Sequence, residues 1–463
     1  MRIRESLSGK TLTRVLSAAV LMIVIYGPMP SAGAADTAGS ELYGIVNDSL
    51  KAMWLGEDYG PELARKQQEL KQLMTSGAVN KAGLEEMVGR SFGFLLDQHQ
   101  TSRYNLHKLP ERVEALFSPV LPWSDVKQIL WRAASAPIKK ENPVTIKTAT
   151  LAPPGTPWIN VPETLTIAEI DRLTGGAIQV KIYGGGVMGE DTDVLKKMDG
   201  GQLDGCGCSS LGVLAASPEA SVLLLPGLFN NYEEVDYIFE KFRKRLDRAF
   251  EEKGYVLAAL VDSGFHYLFS RNKITGLADL RKQKVVSWFG LLETTFYQEL
   301  GITPSPLAVP EMVSALSTGS ADVSLAPAAW VLGMQTYQYV NYVVKPQLLY
   351  SPGAILVSVH TKDKFRKQFG YSVNFSFNLQ EMLVAEFNAL EKEWKSQVRI
   401  YEAKSIQAFE TKLGMKTVTL SPEDMLAIKK ANTAVREKLA GKAFSKELMT
   451  EIVNALEAYR AKR

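Results

Sequence analysis

Apolar residues recur three or four positions apart through Glu41–Trp54, Pro61–Thr75, Lys81–His99 and Trp123–Ala134, the spacing of amphipathic helices. Strand-like alternation is almost absent from residues 40–135, which predicts an all-α module there. Asp58-Tyr59-Gly60 makes a turn with Pro61 opening the next helix, and Asn80 and Ser124 stand where N-caps are expected. Residues 136–144 are polar and bounded by prolines, so they read as a linker.

From Val144 the period shortens. Val144–Leu151 alternates as a strand does, a helix follows around Glu163–Leu173, and Gly175-Gly176 ends it. Strand Ala177–Tyr183, a glycine loop, helix Thr192–Met198 and strand Gly205–Ser209 come next. The same succession returns at strand Lys284–Ser287, helices Leu291–Leu300 and Pro310–Ser317, and strand Asp322–Leu325. Such alternation implies mostly parallel sheets with helices on their faces, here as two α/β lobes of similar plan. The tail from Asn378 to Arg463 reads as helical, with one long run at Leu379–Leu413 and shorter helices after Ser421 and Ser445.

Residues 1–34 follow a different logic. A basic start leads to an apolar run, Val15–Tyr26, then to Pro28, Pro30 and the small residues Ser31–Ala34, the layout of a secretory signal peptide. The run is shorter than the roughly 20 residues needed to span hydrocarbon, although an uncleaved anchor is the alternative. Arg2, Arg4, Lys10 and Arg14 against Glu5 account for the whole net charge of +3. The remaining body is neutral, which argues against a nucleic-acid surface built on clustered positive charge. At 463 residues, 46% hydrophobic and 22% charged, the chain is of ordinary globular composition, and two cysteines make no disulfide framework.

Four stretches, taken in order, resemble the periplasmic substrate-binding subunits of TRAP transporters (tripartite ATP-independent periplasmic transporters). They are Leu173–Tyr183 with Gly186–Gly189 and Gly201–Asp204; Asp262–His266 with Ile274–Val285; Pro310–Gly319 with Ala321-Asp322; and Lys412–Glu423. The resemblance covers residues 145–450 and includes nothing of 40–140. It implies a two-lobed α/β solute-binding protein fold over 145–463, with lobes joined by crossing strands and a long helix underlying both. It also implies capture of a small solute between lobes in the periplasm and delivery to integral-membrane permease subunits. No cofactor is expected.

At the site the chain departs from that family's pattern. Members hold an acidic solute with an Arg where this chain has Val286, and Trp288 replaces a nearby proline; the family's Asn before a proline is Ala326 before Pro327. Valine cannot make the paired charge-assisted hydrogen bonds of an arginine. The replacements are apolar or aromatic, so the expected solute is small and apolar or aromatic. Trp158, Phe265, Trp288, Phe289, Trp330 and Tyr337 fall on stretches that face the cleft in the family. Ser209, Ser210, Ser287 and His266 are candidate polar partners. The alternative for each aromatic is ordinary core packing.

Cys206 and Cys208 fall on one strand face. Packed thiols are the preferred reading, with a disulfide or metal or redox chemistry as alternatives; no other metal-ligand spacing is present. Gly184-Gly185-Gly186 lacks the Gly-Lys-Ser/Thr ending of a phosphate loop. No nucleophile elbow, His-Glu-x-x-His pair or dinucleotide fingerprint occurs, and Asp262 and Glu311 read as isolated carboxylates, so an enzyme is not expected. The second functional reading is a periplasmic carrier or sensor subunit that hands a hydrophobic ligand to a protein partner. The helical module offers surfaces for such a partner or for the permease, or simply caps one lobe.

Overall fold

The computed structural model describes residues 37–463 apart from 137, 139, 140 and 289. The proposed signal, part of the proposed linker and Phe289 therefore lie outside the described residues. The chain divides into two compact units: one holds the described residues to Val144 with Glu169–Gln179 and Lys362–Ala385, the other Thr145–Ala168, Val180–Thr361 and Glu386–Arg463.

The first unit is built on α1 (Thr37–Leu55), α2 (Gly60–Thr75), α3 (Lys81–Gln98), α4 (Arg103–Phe117) and α5 (Trp123–Ser135). The pattern had not predicted α4, because Pro110 interrupts its interior. Asn80 caps α3 by accepting from the Gly83 N–H at 2.8 Å. Ser124 lies inside α5, whose N-cap position is Pro122, so it is not the cap. Trp54 and Phe92 meet edge to face, centroids 5.4 Å apart, within a core of Ile45, Leu50, Leu84 and Leu96. The end of α3 is held by the fully buried Asn378, whose amide donates to the carbonyls of Leu96 and His99, each at 2.8 Å, while its oxygen accepts from the Thr101 N–H at 3.2 Å.

The second unit is organised around a sheet of strand order β2-β1-β3-β8-β4-β7, with β9 also paired to β8. These strands are β1 (Val144–Thr150), β2 (Ile178–Tyr183), β3 (Gly205–Cys208), β4 (Tyr255–Ser270), β7 (Val323–Pro327), β8 (Tyr342–Ser358) and β9 (Lys416–Thr419), with β5 (Val286–Ser287) and β6 (Ser305–Pro306) forming a parallel pair. Val285 bridges β5's end to Val323 of β7. β1 runs parallel to β3, whereas β4 is antiparallel to β7 and β8. The fold is thus α/β, with short strands at either side and two long strands, β4 and β8, shared between them. The periodicity did not reveal those two long strands: both are buried along most of their length, so apolar residues run on without alternating. Helices α6 (Ala168–Thr174), α7 (Asp191–Asp199), α8 (Ser210–Ala216) and α9 (Tyr232–Glu251) follow in the first half of the chain's α/β region. In the second half come α10 (Leu291–Glu299), α11 (Val309–Thr318) and α12 (Ala328–Gly333), then the 39-residue α13 (Val373–Thr411). Helices α14 (Pro422–Leu439) and α15 (Lys446–Arg460) close the chain, capped by Ser421 and Ser445.

Within this unit α13 is tied to the long strands by buried charge. The Asp262 carboxylate of β4, with no exposure, accepts from Arg399 Nε and from the Tyr350 hydroxyl, each at 2.6 Å. Arg399 also forks onto Asp236 of α9 at 2.7 Å and lies 4.4 Å from the Tyr232 ring centroid. Asp262 is therefore not isolated, as the sequence had suggested; its partner lies 137 residues away. A second buried carboxylate, Glu402 of α13, accepts from the Ala328 and Ala329 N–H groups at 3.1 and 2.9 Å. Burial pushes Glu402 up to about 8, against the opposing pull of those donors. β4 bulges between Asp262 and Gly264, where φ is +122°, and a Cβ at Gly264 would stand 3.1 Å from Glu402 Oε2.

Two predictions follow from these anchors. Asn378→Leu strands two carbonyls and an N–H in an apolar interior, so urea unfolding should show a loss of about 2–4 kcal/mol. Glu402 has a folded pKa above its ordinary 4.5, so its contribution to stability is complete below that value and is lost as pH rises through about 8. Urea midpoints across that window should fall less steeply with pH in Glu402→Gln than in the parent, since the amide oxygen still accepts from the N–H groups.

Candidate functional site

A cavity of about 70 Å³ lies within the second unit. That is several times the roughly 10–15 Å³ that one ordered water requires. Its wall draws on the end of β1 (Thr150, with Leu151 to Pro153 beyond it), the end of β3 (Gly207, Cys208, Ser209), β4 (Val261, Ser263, His266) and β8 (Ser351, Gly353, Ile355). Trp158, Trp288, Pro327, Trp330 and Trp394 complete it. Much of the wall is thus strand ends and the loops just after them, where ligands sit in α/β folds.

Four of the chain's seven tryptophans line this one cavity. Trp158 is oriented by an indole N–H donated to the Asp262 carbonyl at 2.8 Å, which links the wall to the Arg399 network. Trp330 rides on α12, whose first N–H groups are held by Glu402. Trp394, on α13, is 2% exposed, and its indole nitrogen has no hydrogen-bond partner among the described residues. No Lys, Arg, Asp or Glu is among the described residues of the lining.

The polar side chains are few. His266 is fully buried, with Nε2 2.7 Å from the Ser351 hydroxyl. Burial drives its pKa down to about 3, opposed by a hydrogen bond with the Leu325 backbone, so the imidazole is neutral at physiological pH. Ser209 donates through both its N–H (2.9 Å) and its hydroxyl to the buried Asp191, which burial pushes up to about 6.

Of the residues singled out from the sequence, Trp158, Ser209, His266, Trp288, Pro327 and Trp330 line the cavity. Others are placed elsewhere. Phe265 follows strand alternation away from His266 and packs edge-on against Tyr232 and Tyr350, at 4.9 and 5.4 Å. Ser210 turns into α8 and donates to the Pro352 carbonyl at 2.6 Å. Val286 and Ala326 belong to the apolar cluster around Phe269, Val309 and Leu316. Ser287 is buried on β5 with its hydroxyl 3.5 Å from that of Thr294, and Tyr337 tilts against Phe409 at 6.3 Å. Glu311 accepts from the Ala308 N–H at the start of α11. Cys206 and Cys208 form a disulfide rather than packed thiols, because alternation on β3 directs both sulfurs to the same side.

The sequence reading missed Trp394, Ser263, Ser351 and the Gly207/Gly353 wall. Trp394 sits in a charged helical run, Glu391 to Lys395, where a lone large aromatic is the signal of a buried face. Nothing local marks Ser351, because β8 itself escaped detection.

Residues 148–442 match the model of DctP, the bacterial extracellular solute-binding protein family 7. A solute-binding protein of Verminephrobacter eiseniae is 22% identical over 198 residues, which cover 42% of this chain and 59% of the relative, so the chain spans about three-fifths of that relative's length. The sugar acid binding protein of Advenella mimigardefordensis, solved in complex with galactonate, superposes with a TM-score of 0.62 at 19% identity, covering 68% of this chain and 98% of that one. A TRAP periplasmic solute binding protein of Desulfovibrio salexigens, solved with orotic acid, gives 0.60 at 17% identity, over 69% and 99%. These structures share the α/β architecture, and the matched family is one of binding proteins rather than enzymes. With well over half its residues matched, this chain belongs to the bacterial extracellular solute-binding protein family 7.

Proposed function

We propose that this chain is a periplasmic receptor that closes on a small, uncharged, ring-bearing solute and presents it to a TRAP-type permease in the membrane. The observation that carries the reading is the cavity wall: four tryptophans and no charged side chain among its described residues. An acid such as galactonate, bound by the Advenella relative, would bring a carboxylate into this wall with no cation to meet it. Burying an unpaired charge costs several kcal/mol, so the family's acidic solutes are disfavoured here. A neutral ring instead gains apolar contact with the indoles, by edge-to-face or offset stacking. The Ser351–His266 pair and the Ser263 hydroxyl supply orienting hydrogen bonds, and the Trp394 N–H awaits an acceptor such as a carbonyl or hydroxyl.

Closure of two lobes about shared strands buries such a solute and signals occupancy. Among the described residues no helix is long and apolar enough to cross a membrane.

Thermal unfolding of the full chain against a panel of small solutes tests the proposal. Neutral heteroaromatic compounds should raise Tm with increasing concentration, whereas galactonate and succinate should not. Stabilisation by those acids at comparable concentration would overturn the proposed solute class. For a solute found in this way, Trp288→Ala and Trp330→Ala should each weaken Kd roughly ten- to a hundredfold, the equivalent of about 1.5–3 kcal/mol of buried aromatic contact, measured by calorimetry.

A further inference from the structure

The disulfide lies beside a carboxylate whose second oxygen is unused. Asp191, the first residue of α7, is fully buried, as are Cys206 (1% exposed) and Cys208 (4%). Oδ2 of Asp191 accepts from the Ser209 N–H and hydroxyl and from the Gly212 N–H at 3.1 Å. Oδ1 has no partner among the described residues. One carboxylate oxygen and the two sulfurs lie within 4.8 Å of one another. The packing holds them there: a Cβ at Gly212 would stand 2.7 Å from Cys208 Cβ and 2.9 Å from Asp191 Oδ2. A buried anionic oxygen left without a donor is costly, which points to a ligand in some other state of the site.

We infer that the reduced form of this chain binds a single zinc-type divalent cation through Cys206 Sγ, Cys208 Sγ and Asp191 Oδ1. In the oxidised form the sulfurs are spent on each other and carry no thiolate. A dithiol reductant opens the bond by thiol–disulfide exchange: it becomes a disulfide, and its two electrons and two protons pass to the cysteine sulfurs. Binding the cation then releases both thiol protons to solvent, since thiolate is the ligating form. Zinc-type ions favour thiolate with carboxylate, at about 2.3 Å to sulfur and 2.0–2.2 Å to oxygen in a tetrahedron. Such a tetrahedron sets its ligand atoms roughly 3.8 Å apart or less, so the two sulfurs, bonded in the oxidised form, part on reduction while a carboxylate oxygen of Asp191 already lies within 4.8 Å of both. Two strand residues on one face can both reach one ion with the backbone in place. Because Cys208 also lines the solute cavity, a water can fill the fourth position from that side.

The test uses the full chain reduced with dithiothreitol, desalted without oxygen and titrated with Cd²⁺. The expected result is a cadmium–thiolate charge-transfer band that saturates at one equivalent. It should be absent from the oxidised protein and from the Cys206→Ser/Cys208→Ser double variant, and roughly halved with weaker binding in either single variant. Asp191→Asn should keep the band but lose at least tenfold in affinity, whereas Ser209→Ala, which touches Asp191 only through Oδ2, should retain it. Zinc should raise Tm of the reduced parent and leave the oxidised parent unchanged. A native disulfide that dithiothreitol cannot open, a reduced protein without the band, or an affinity indifferent to Asp191→Asn would each overturn the assignment.

Discussion

The Asp262–Arg399 pair is the constraint on which the cavity wall rests. A carboxylate with no exposure is tolerable only because Arg399 and Tyr350 satisfy both its oxygens, and Arg399 in turn is held by Asp236. Removing one partner of such a buried pair costs about 3–5 kcal/mol, far more than the pair contributes net. That asymmetry makes the network a specifier of geometry rather than a store of stability. It joins α9, α13, β4 and β8 at one point, where β4 bulges and where the Asp262 carbonyl orients Trp158.

Glu402 extends the same device by one turn of α13. It holds the first N–H groups of α12, and α12 carries Trp330. Two of the four tryptophans are therefore set by buried acids that never reach the cavity, and a third, Trp394, belongs to the same helix as Arg399 and Glu402. The described wall carries no charged side chain, while the shell behind it holds the Asp262–Arg399 ion pair. Such a division keeps the described cavity wall free of charge and still fixes it in place, since polar groups in low dielectric are rigid when fully satisfied.

Membership of this solute-binding family and a wall without charged side chains among its described residues are compatible, because fold and site respond to different constraints. The strand order and the long shared strands are set by the burial of many apolar residues, and the overall fold is shared with the solved relatives at 17–19% identity. Val286 packs into the apolar cluster around Phe269 and is not part of the cavity lining.

The amino-acid sequence determined the local elements whose signal is periodic or capped: the Asn80, Ser421 and Ser445 helix starts, the βα alternation after Val144, and a hydrophobic cast to the site through Trp158, Trp288 and Trp330. Local pattern failed where burial on both faces erased alternation, as in β4 and β8, and where Pro110 masked a helix. Only the tertiary structure decided which neighbour on a strand faces the cavity, sending His266 inward and Phe265 into the core, and which distant partner neutralises Asp262. The physical reason is range: helical and strand periods are written in adjacent residues, whereas the Asp262–Arg399 contact spans 137 positions and exists only once the chain has packed.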